Sequence, residues 1–237
     1  MKALMDLHTH TISSGHAYST LKENIEEARE KGLKVLGVSD HAMSMPGTAH
    51  EYYFNNLKVI RDEIMGVRVL KGIEANIMDF EGRIDVQEEL ALELDYVIAS
   101  MHPPCITPGT MEENTNALIK VMDNPYVKII GHPDDSRFPL DYEKVVLAAK
   151  EKNMVFEMNN TSISPRSFRR NARENQITLL NLCKKHGVKI IMGSDAHIYY
   201  DVGEFSSCYG LLKEIEFPEE LVLNFNMDSL EYILGKR

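Results

Sequence analysis

The chain has 237 residues, of which 43% are hydrophobic and 26% charged, so it can bury a core and is too apolar to be disordered. Lys and Arg number 26 against 36 Asp and Glu, and the formal charge of -10 disfavours general nucleic-acid binding. The start MKALMDLHTH does not resemble a secretory leader, and no apolar run approaches the roughly 20 residues of a membrane helix. We therefore expect a cytoplasmic protein with a single domain over residues 1–237.

In chain order, short apolar runs alternate with longer segments of helical period. Strands are predicted in ALMDLH, KVLGVSDH, VRVLKGIEAN, DYVIASMH, VKIIGHP, MVFEMNN and VKIIMGSDAH. Helices are predicted over residues 21–32, 52–65, 85–94, 115–122, 142–153 and 171–186. About seven strands, each followed by a helix, predict an α/β fold with a parallel sheet closed as a TIM-like barrel, with a helical tail after Glu204. An open doubly wound sheet is the alternative.

The cysteines do not form a recognisable framework. Cys105, Cys183 and Cys208 are odd in number, widely separated and without a CxxC pair, so neither a disulfide scaffold nor a zinc knuckle fits them. Cys105 lies three residues after a histidine, but we expect it to be a bystander. Any metal would therefore be held by histidine and carboxylate.

Histidines follow the predicted strands, at the edge that carries the active site in α/β barrels. They are His8, His10, His16, His41, His102, His132 and His197, and two strand-end carboxylates, Glu74 and Asp195, join them. The alternate spacing of His8 and His10 turns both imidazoles to one face of a strand. Imidazole with carboxylate suits zinc best, with manganese or iron possible, and nine ligands imply more than one ion.

The motifs DLHTHTISSGHAYST, SDHA, KGIEAN, MHPP, GHP and GSDAH resemble those of the PHP (polymerase and histidinol phosphatase) family, and HAYST and GIEAN are most similar to its small YcdX-type phosphatases. The resemblance implies a distorted (β/α)7 barrel with about three divalent metal ions. One ion would be held by His8, His10, Glu74 and Asp195. A second would share Glu74 and add His102 and His132. The third would be held by His16, His41 and His197.

Such a centre predicts the hydrolysis of a phosphomonoester, because metal coordination lowers the pKa of water to about 7 and gives a bound hydroxide at neutral pH. The carboxylates Glu74 and Asp195 are the candidate catalytic residues. Asp40 precedes a candidate ligand, where it could orient an imidazole or relay a proton; an ordinary turn residue is the alternative.

Arginines after the sixth strand are candidates for the phosphate site, since a guanidinium can grip two phosphate oxygens. Arg166 is predicted to contribute most, then Arg169, with Arg170 nearby; a solvated helix start is the alternative. Asn159 and Asn160 end the same strand. They could donate hydrogen bonds to the substrate, and capping of the strand end is the alternative. By contrast, His50 and His186 are predicted to lie outside the site.

The leading functional hypothesis is a metal-dependent phosphatase acting on a small phosphorylated metabolite. A phosphodiesterase or 3′-exonuclease of the same family is the second hypothesis, disfavoured by the acidic chain. A noncatalytic metal-binding regulatory module is the third, disfavoured by the full ligand set. No membrane partner is expected.

Overall fold

The computed structural model describes residues 2–235, and its centre is a parallel sheet wrapped into a barrel. The strands are β1 Met5–Asp6, β2 Val35–Val38, β3 Glu63–Ile64, β4 Val67–Asn76, β5 Tyr96–Ser100, β6 Val127–Ile130, β7 Val155–Asn159 and β8 Ile190–Gly193. Seven of them run parallel in the order β1-β2-β4-β5-β6-β7-β8, while β3 pairs antiparallel with β4. Every predicted strand is present, and the predicted barrel is confirmed.

Helices connect the strands around the outside. They are α1 Leu21–Glu30, α2 Glu51–Asn55, α3 Glu88–Leu92, α4 Met111–Val121, α5 Tyr142–Lys152, α6 Ala172–His186, α7 Ser206–Glu214 and α8 Leu230–Leu234. Thr20 and Thr110 begin α1 and α4 with complete capping boxes. Asn153 and Gly187 end α5 and α6 in left-handed conformation. Within residues 2–235, no helix combines the length and apolar character that a membrane crossing requires.

The helix predicted over residues 52–65 is wrong for most of its length. Helix α2 stops at Asn55, and the chain later turns back as the hairpin of β3 and β4. The turn consists of Met65 and Gly66, both with positive φ, as a two-residue hairpin loop requires. Apolar spacing compatible with a helix was therefore overridden by the turn conformation at Gly66.

The barrel closes between β1 and β8 in two places. Near the carboxyl ends of the strands, the amide of His10 donates to the carbonyl of Ala196 at 2.9 Å. Deeper in the barrel, the Asn224 side chain donates to the carbonyls of Met5 and Met192, each at 2.9 Å, and accepts from the Met192 amide at 2.6 Å. One side chain thus pairs with both strands across the gap, and the sheet is a nearly closed barrel rather than an open one.

Tyr96, which is 2% exposed, lies in a buried apolar cluster to which β1, β2, β4, β5, β6, β7 and β8 all contribute residues. Its hydroxyl donates to the carbonyl of Leu7 at 2.6 Å. A Cβ at Gly37 would lie 2.0 Å from the tyrosine oxygen, and one at Gly72 would lie 2.3 Å from its Cζ. The two glycines make room for the ring, which gives the polar cluster described next a packed floor.

Candidate metal centre

The structure brings all nine predicted ligands to the carboxyl end of the barrel. Glu74 lies within β4, and the other eight follow strand ends: His8, His10, His16, His41, His102, His132, Asp195 and His197. His50 instead caps α2, where its Nδ1 accepts from the Tyr52 amide, and His186 lies at the end of α6 near Glu143. The sheet topology therefore assembles residues that are far apart in sequence.

Glu74 occupies the middle of the cluster. Its carboxylate lies within 3.5 Å of ring nitrogens from His8, His10, His41, His102 and His132. Oε2 is 2.7 Å from His41 Nδ1, and Oε1 is 2.8 Å from His132 Nε2. Imidazoles thus face both of its oxygens, which is the arrangement that the predicted sharing of Glu74 by two ions requires.

Asp195 is the second carboxylate among the candidate ligands. Its Oδ1 lies 3.2 Å from His10 Nε2 and 3.5 Å from His197 Nδ1. Its Oδ2 accepts from Asn159 Nδ2 at 3.1 Å and from Arg169 Nη2 at 3.2 Å. The residue has a positive φ of 55°, a conformation that aspartate tolerates better than most residues and that functional sites often hold under strain.

Several subsets of the cluster have the dimensions of a metal site. Four sets have ligand atoms within 4.8 Å of one another: His10, His41 and His197; His8, His132 and Asp195; His8, His10 and Glu74; and His41, Glu74 and His102. His16 lies outside these sets, but its ring centroid is 5.0 Å from that of His41 and 4.8 Å from that of His197. These sets share several residues with one another, whereas the family resemblance divides the ligands into three groups that share only Glu74.

Unpartnered buried atoms show that these residues fit divalent cations. His8 Nε2, His10 Nε2, His41 Nδ1 and Glu74 Oε2 are all buried, and although they lie close to one another or to Asp195, none of them makes a hydrogen bond of ordinary geometry. Leaving such atoms unpaired is costly, and a cation among them would remove that cost. Imidazole and carboxylate without thiolate suit zinc, and also accept manganese or iron.

Hydrogen bonds behind the ligands fix which imidazole nitrogen faces the centre. His8 Nδ1 donates to Glu157 Oε1 at 2.6 Å, and Glu157 Oε2 accepts from the His132 amide at 2.8 Å. Since a carboxylate accepts, the proton of His8 is on Nδ1, and Nε2 presents its lone pair. Sequence reasoning missed Glu157, although an acidic residue inside the apolar run MVFEMNN was a usable signal.

The predicted residue Asp40 is connected to a candidate ligand through Ser14. The Ser14 hydroxyl donates to Asp40 Oδ1 at 2.6 Å and lies 3.0 Å from His10 Nδ1, which must then carry the proton. Asp40 also accepts from the Tyr53 hydroxyl at 2.6 Å. The hydrogen bonds therefore connect Asp40 to the His10 imidazole through Ser14. That Asp40 orients an imidazole or relays a proton stays a prediction.

A similar chain supports a further histidine. His102 Nδ1 donates to Asn76 Oδ1 at 2.7 Å, and Asn76 Nδ2 donates to Asp85 Oδ2 at 2.7 Å. Asn76 ends β4, two residues beyond Glu74, so one strand supplies both a central carboxylate and the support of a neighbouring ligand. Neither Asn76 nor Asp85 was predicted.

The protonation states favour metal binding by most of the cluster. Burial raises the pKa of Glu74, but His41, His102 and His8 outweigh it and hold that pKa well below its usual range. Burial, with His197 and His41 nearby, lowers the pKa of His10 well below its usual value and keeps the ring neutral. Burial also lowers the pKa of His8, but Glu157 and Glu74 raise it overall, so a proton competes with a cation there.

The arginines differ in their access to the cluster. Arg169 has a side chain only 7% exposed, held beside Asp195 and donating to Ser162 Oγ at 2.9 Å. Arg166 has a side chain 66% exposed and both contacts to Asp201 at 2.8 Å. Arg170 is exposed. Of these three arginines, Arg169 alone lies against a candidate ligand, which makes it a stronger candidate for the phosphate site than Arg166.

The two asparagines after β7 have structural partners. Asn159 Nδ2 donates to Asp195, as described, and Asn160 Oδ1 accepts from the amide of Cys208 at 3.2 Å. Asn159 therefore positions an acidic ligand, and Asn160 anchors the start of α7.

A pocket of about 770 Å³ opens above the cluster. Its inner wall includes His16, His41, His102, Asp195 and His197, and its side walls include Arg137, Arg166 and Arg169. The candidate metal ligands and the arginine side chains therefore face one cavity that is open to solvent. The cavity is large enough for a small organic phosphate.

Comparison with known proteins places these features among phosphatases. Residues 6–164 match the PHP domain. A probable phosphatase of Clostridium novyi (strain NT) is 49% identical over 230 residues, which are 97% of this chain and 93% of the relative. A probable phosphatase of Clostridium botulinum (strain Langeland) is 50% identical over 237 residues, which are 100% of this chain and 96% of the relative.

Among solved structures, histidinol phosphate phosphatase of Lactococcus lactis, complexed with zinc, L-histidinol and phosphate, has a similar fold. The TM-score is 0.61, and the match covers 92% of this chain and 95% of that one. At 16% sequence identity, this similarity concerns the barrel itself.

Proposed function

The chain belongs to the PHP domain family and is a metal-dependent phosphatase, and from this premise we propose that it hydrolyses a small phosphomonoester at a centre of three divalent ions. The observation that carries the proposal is the cluster of buried, unpartnered ligand atoms around Glu74, which opens into a pocket beside Arg169. An acidic chain with cations concentrated at one rim favours a small anionic substrate over a polyanion.

We assign the ligands as the sequence motifs suggest. His8, His10, Glu74 and Asp195 would hold the first ion, and Glu74, His102 and His132 the second. His16, His41 and His197 would hold the third, since the ring of His16 lies 5.0 Å from that of His41 and 4.8 Å from that of His197 between centroids. Zinc is the ion that the donor set favours most, and zinc is also present in the Lactococcus protein.

The residues around the centre would have different roles in hydrolysis. Bound ions would lower the pKa of a coordinated water and neutralise the charge of the phosphate. Arg169, fixed by Ser162 and Asp195, offers its guanidinium to the phosphate oxygens. Asp40 and Glu157 keep His10 and His8 in the orientation that binding requires.

The proposal is tested on protein purified without chelator. We expect about three divalent ions per chain, and hydrolysis of p-nitrophenyl phosphate that is lost on chelation and restored by zinc or manganese. Bis(p-nitrophenyl) phosphate and single-stranded DNA should be poor substrates. One ion or fewer in protein produced with supplied metals would refute the trinuclear centre, and faster cleavage of the diester or DNA would refute the monoester assignment.

Replacing Arg169 tests the phosphate site. Arg169→Ala should lower kcat/KM for a monoester by roughly ten- to hundredfold, about 1.5 to 3 kcal/mol, because it removes charge-assisted hydrogen bonds. Arg166→Ala should have a smaller effect, since that side chain is 66% exposed and is paired with Asp201 instead of a candidate metal ligand. Steady-state kinetics on metal-replete variants is the measurement, with the exposed Arg170→Ala as control. Equal effects of all three substitutions would contradict the assignment.

A further inference from the structure

Exposed aromatic side chains line the pocket above the metal centre. Tyr18 is 76% exposed, Phe168 is 70% exposed and Tyr200 is 49% exposed, yet all three contribute to the same cavity wall. They come from three separate segments of the chain, after β1, after β7 and after β8. Apolar rings presented to solvent in one concave place mark a binding surface for an apolar partner.

Phe168 lies next to the proposed phosphate site. Its ring centroid is 5.4 Å from Arg169 Cζ and 5.6 Å from Arg137 Cζ, both within cation–π distance. Arg169 in turn contacts Asp195 at 3.2 Å. A phosphate at the metal centre would therefore bring the carbon atoms of its ester alcohol within reach of this ring.

The two tyrosines are tied to the loop that carries His197. The amide of Tyr18 donates to the carbonyl of His197 at 2.8 Å. The carbonyl of Tyr200 accepts from Lys31 Nζ at 2.7 Å, three residues beyond that histidine. The backbone of both residues is anchored near the candidate ligand His197, and both residues contribute to the wall of the pocket.

The rest of the wall is mostly apolar. It includes Met45, Pro46, Pro103, Pro104 and Ile198, beside the polar side chains of Thr161 and Asp201. The apolar side chains and the prolines, which lack an amide hydrogen, offer no hydrogen bonds to the hydroxyls of a polyhydroxylated alcohol such as a sugar. A flat, apolar group would bind to this part of the wall without leaving a hydroxyl unpaired.

Building on the proposed function, we propose that the alcohol portion of the substrate carries a planar aromatic ring, which packs against Phe168 and the two tyrosines while its phosphate lies at the metal centre. Aromatic pairs gain from offset-stacked or edge-to-face geometry beyond the area they bury. The pocket therefore selects for planarity as well as for apolar character.

A preference for planarity can be distinguished from a preference for apolar character with two monoesters, 2-phenylethyl phosphate and 2-cyclohexylethyl phosphate. Their leaving groups have similar acidity and both are apolar, but only the phenyl group is planar. The metal-loaded enzyme should prefer the phenyl ester by about three- to tenfold in kcat/KM. Phe168→Leu, and separately Tyr18→Leu, should bring this ratio towards one. Inhibition by inorganic phosphate should change by less than about twofold in Tyr18→Leu, because this substitution removes none of the contacts that Arg169 makes with Ser162, Asp195 and Phe168.

Tyr52→Leu is the matched control, since this ring is 78% exposed but does not line the pocket, and its substitution should leave the ratio unchanged. Two results would overturn the aromatic inference and leave the phosphatase assignment intact. The first is an enzyme that hydrolyses p-nitrophenyl phosphate but shows no preference between the two esters. The second is a preference for the phenyl ester that both leucine variants retain. Loss of all monoester hydrolysis in metal-loaded protein would instead contradict the proposed function.

Discussion

Glu74→Gln should lower kcat/KM by more than about a hundredfold, a larger loss than substitution of any single histidine at the edge of the cluster, such as His16. The wild-type carboxylate faces histidines with both oxygens, at 2.7 Å from His41 and 2.8 Å from His132. A glutamine has one oxygen and no charge, so it can neither bridge two cations nor offset their repulsion. Metal analysis and steady-state kinetics on the same preparation measure the effect.

Two other histidines provide the controls for this substitution. His50→Ala and His186→Ala should be close to wild type in metal content and rate, because both side chains lie away from the cluster. A Glu74→Gln enzyme that keeps its metals and more than about a tenth of the rate, a loss of less than 1.4 kcal/mol, would show that Glu74 is not a bridge.

The second large effect is expected at Glu157, which contacts no proposed ion. Glu157→Gln should weaken binding of the ion at His8 by about ten- to hundredfold, because an amide can accept a hydrogen bond at only one of its two ends. The carboxylate accepts at both, from His8 Nδ1 at 2.6 Å and from the His132 amide at 2.8 Å. Competition against a chelator of known affinity measures the dissociation constants.

Glu151→Gln makes the same change of charge on the exposed surface of α5 and should leave all dissociation constants unaltered. Glu157→Asp should recover part of the affinity if the charge matters more than the reach of the side chain. Unchanged metal affinity in Glu157→Gln would mean that backbone packing alone positions the His8 imidazole.

Much of the site was predictable because strand ends are visible in sequence. An apolar run followed by histidine, repeated around a parallel barrel, predicts that the histidines meet, whatever the details of the loops. The long-range contacts were not predictable in this way. Arg166 pairs with Asp201, a residue 35 positions away, and only the fold shows that this leaves Arg169 beside the cluster.

Other features escaped prediction for local reasons. In a strand buried on both faces, alternation does not distinguish a residue pointing into the site from one pointing away, which is why Glu157 in β7 was missed. The strand β3 was missed because its sequence has helical spacing and only two residues pair. Aspartate tolerates a positive φ better than most residues, but residue type alone does not predict this conformation at Asp195, which depends on the loop after β8.

Because Asn224 links β1 to β8, its position late in the sequence determines when the candidate metal centre can form during synthesis. His8 and His10 leave the ribosome early, but Asp195 follows after most of the barrel, and the side chain that links β1 to β8 comes later still. Since synthesis proceeds at about 5–20 residues per second, the early histidines wait for seconds beside an incomplete site. The full set of candidate ligands can therefore come together only after Asn224 has been made, and before that point a cation meets only part of the set.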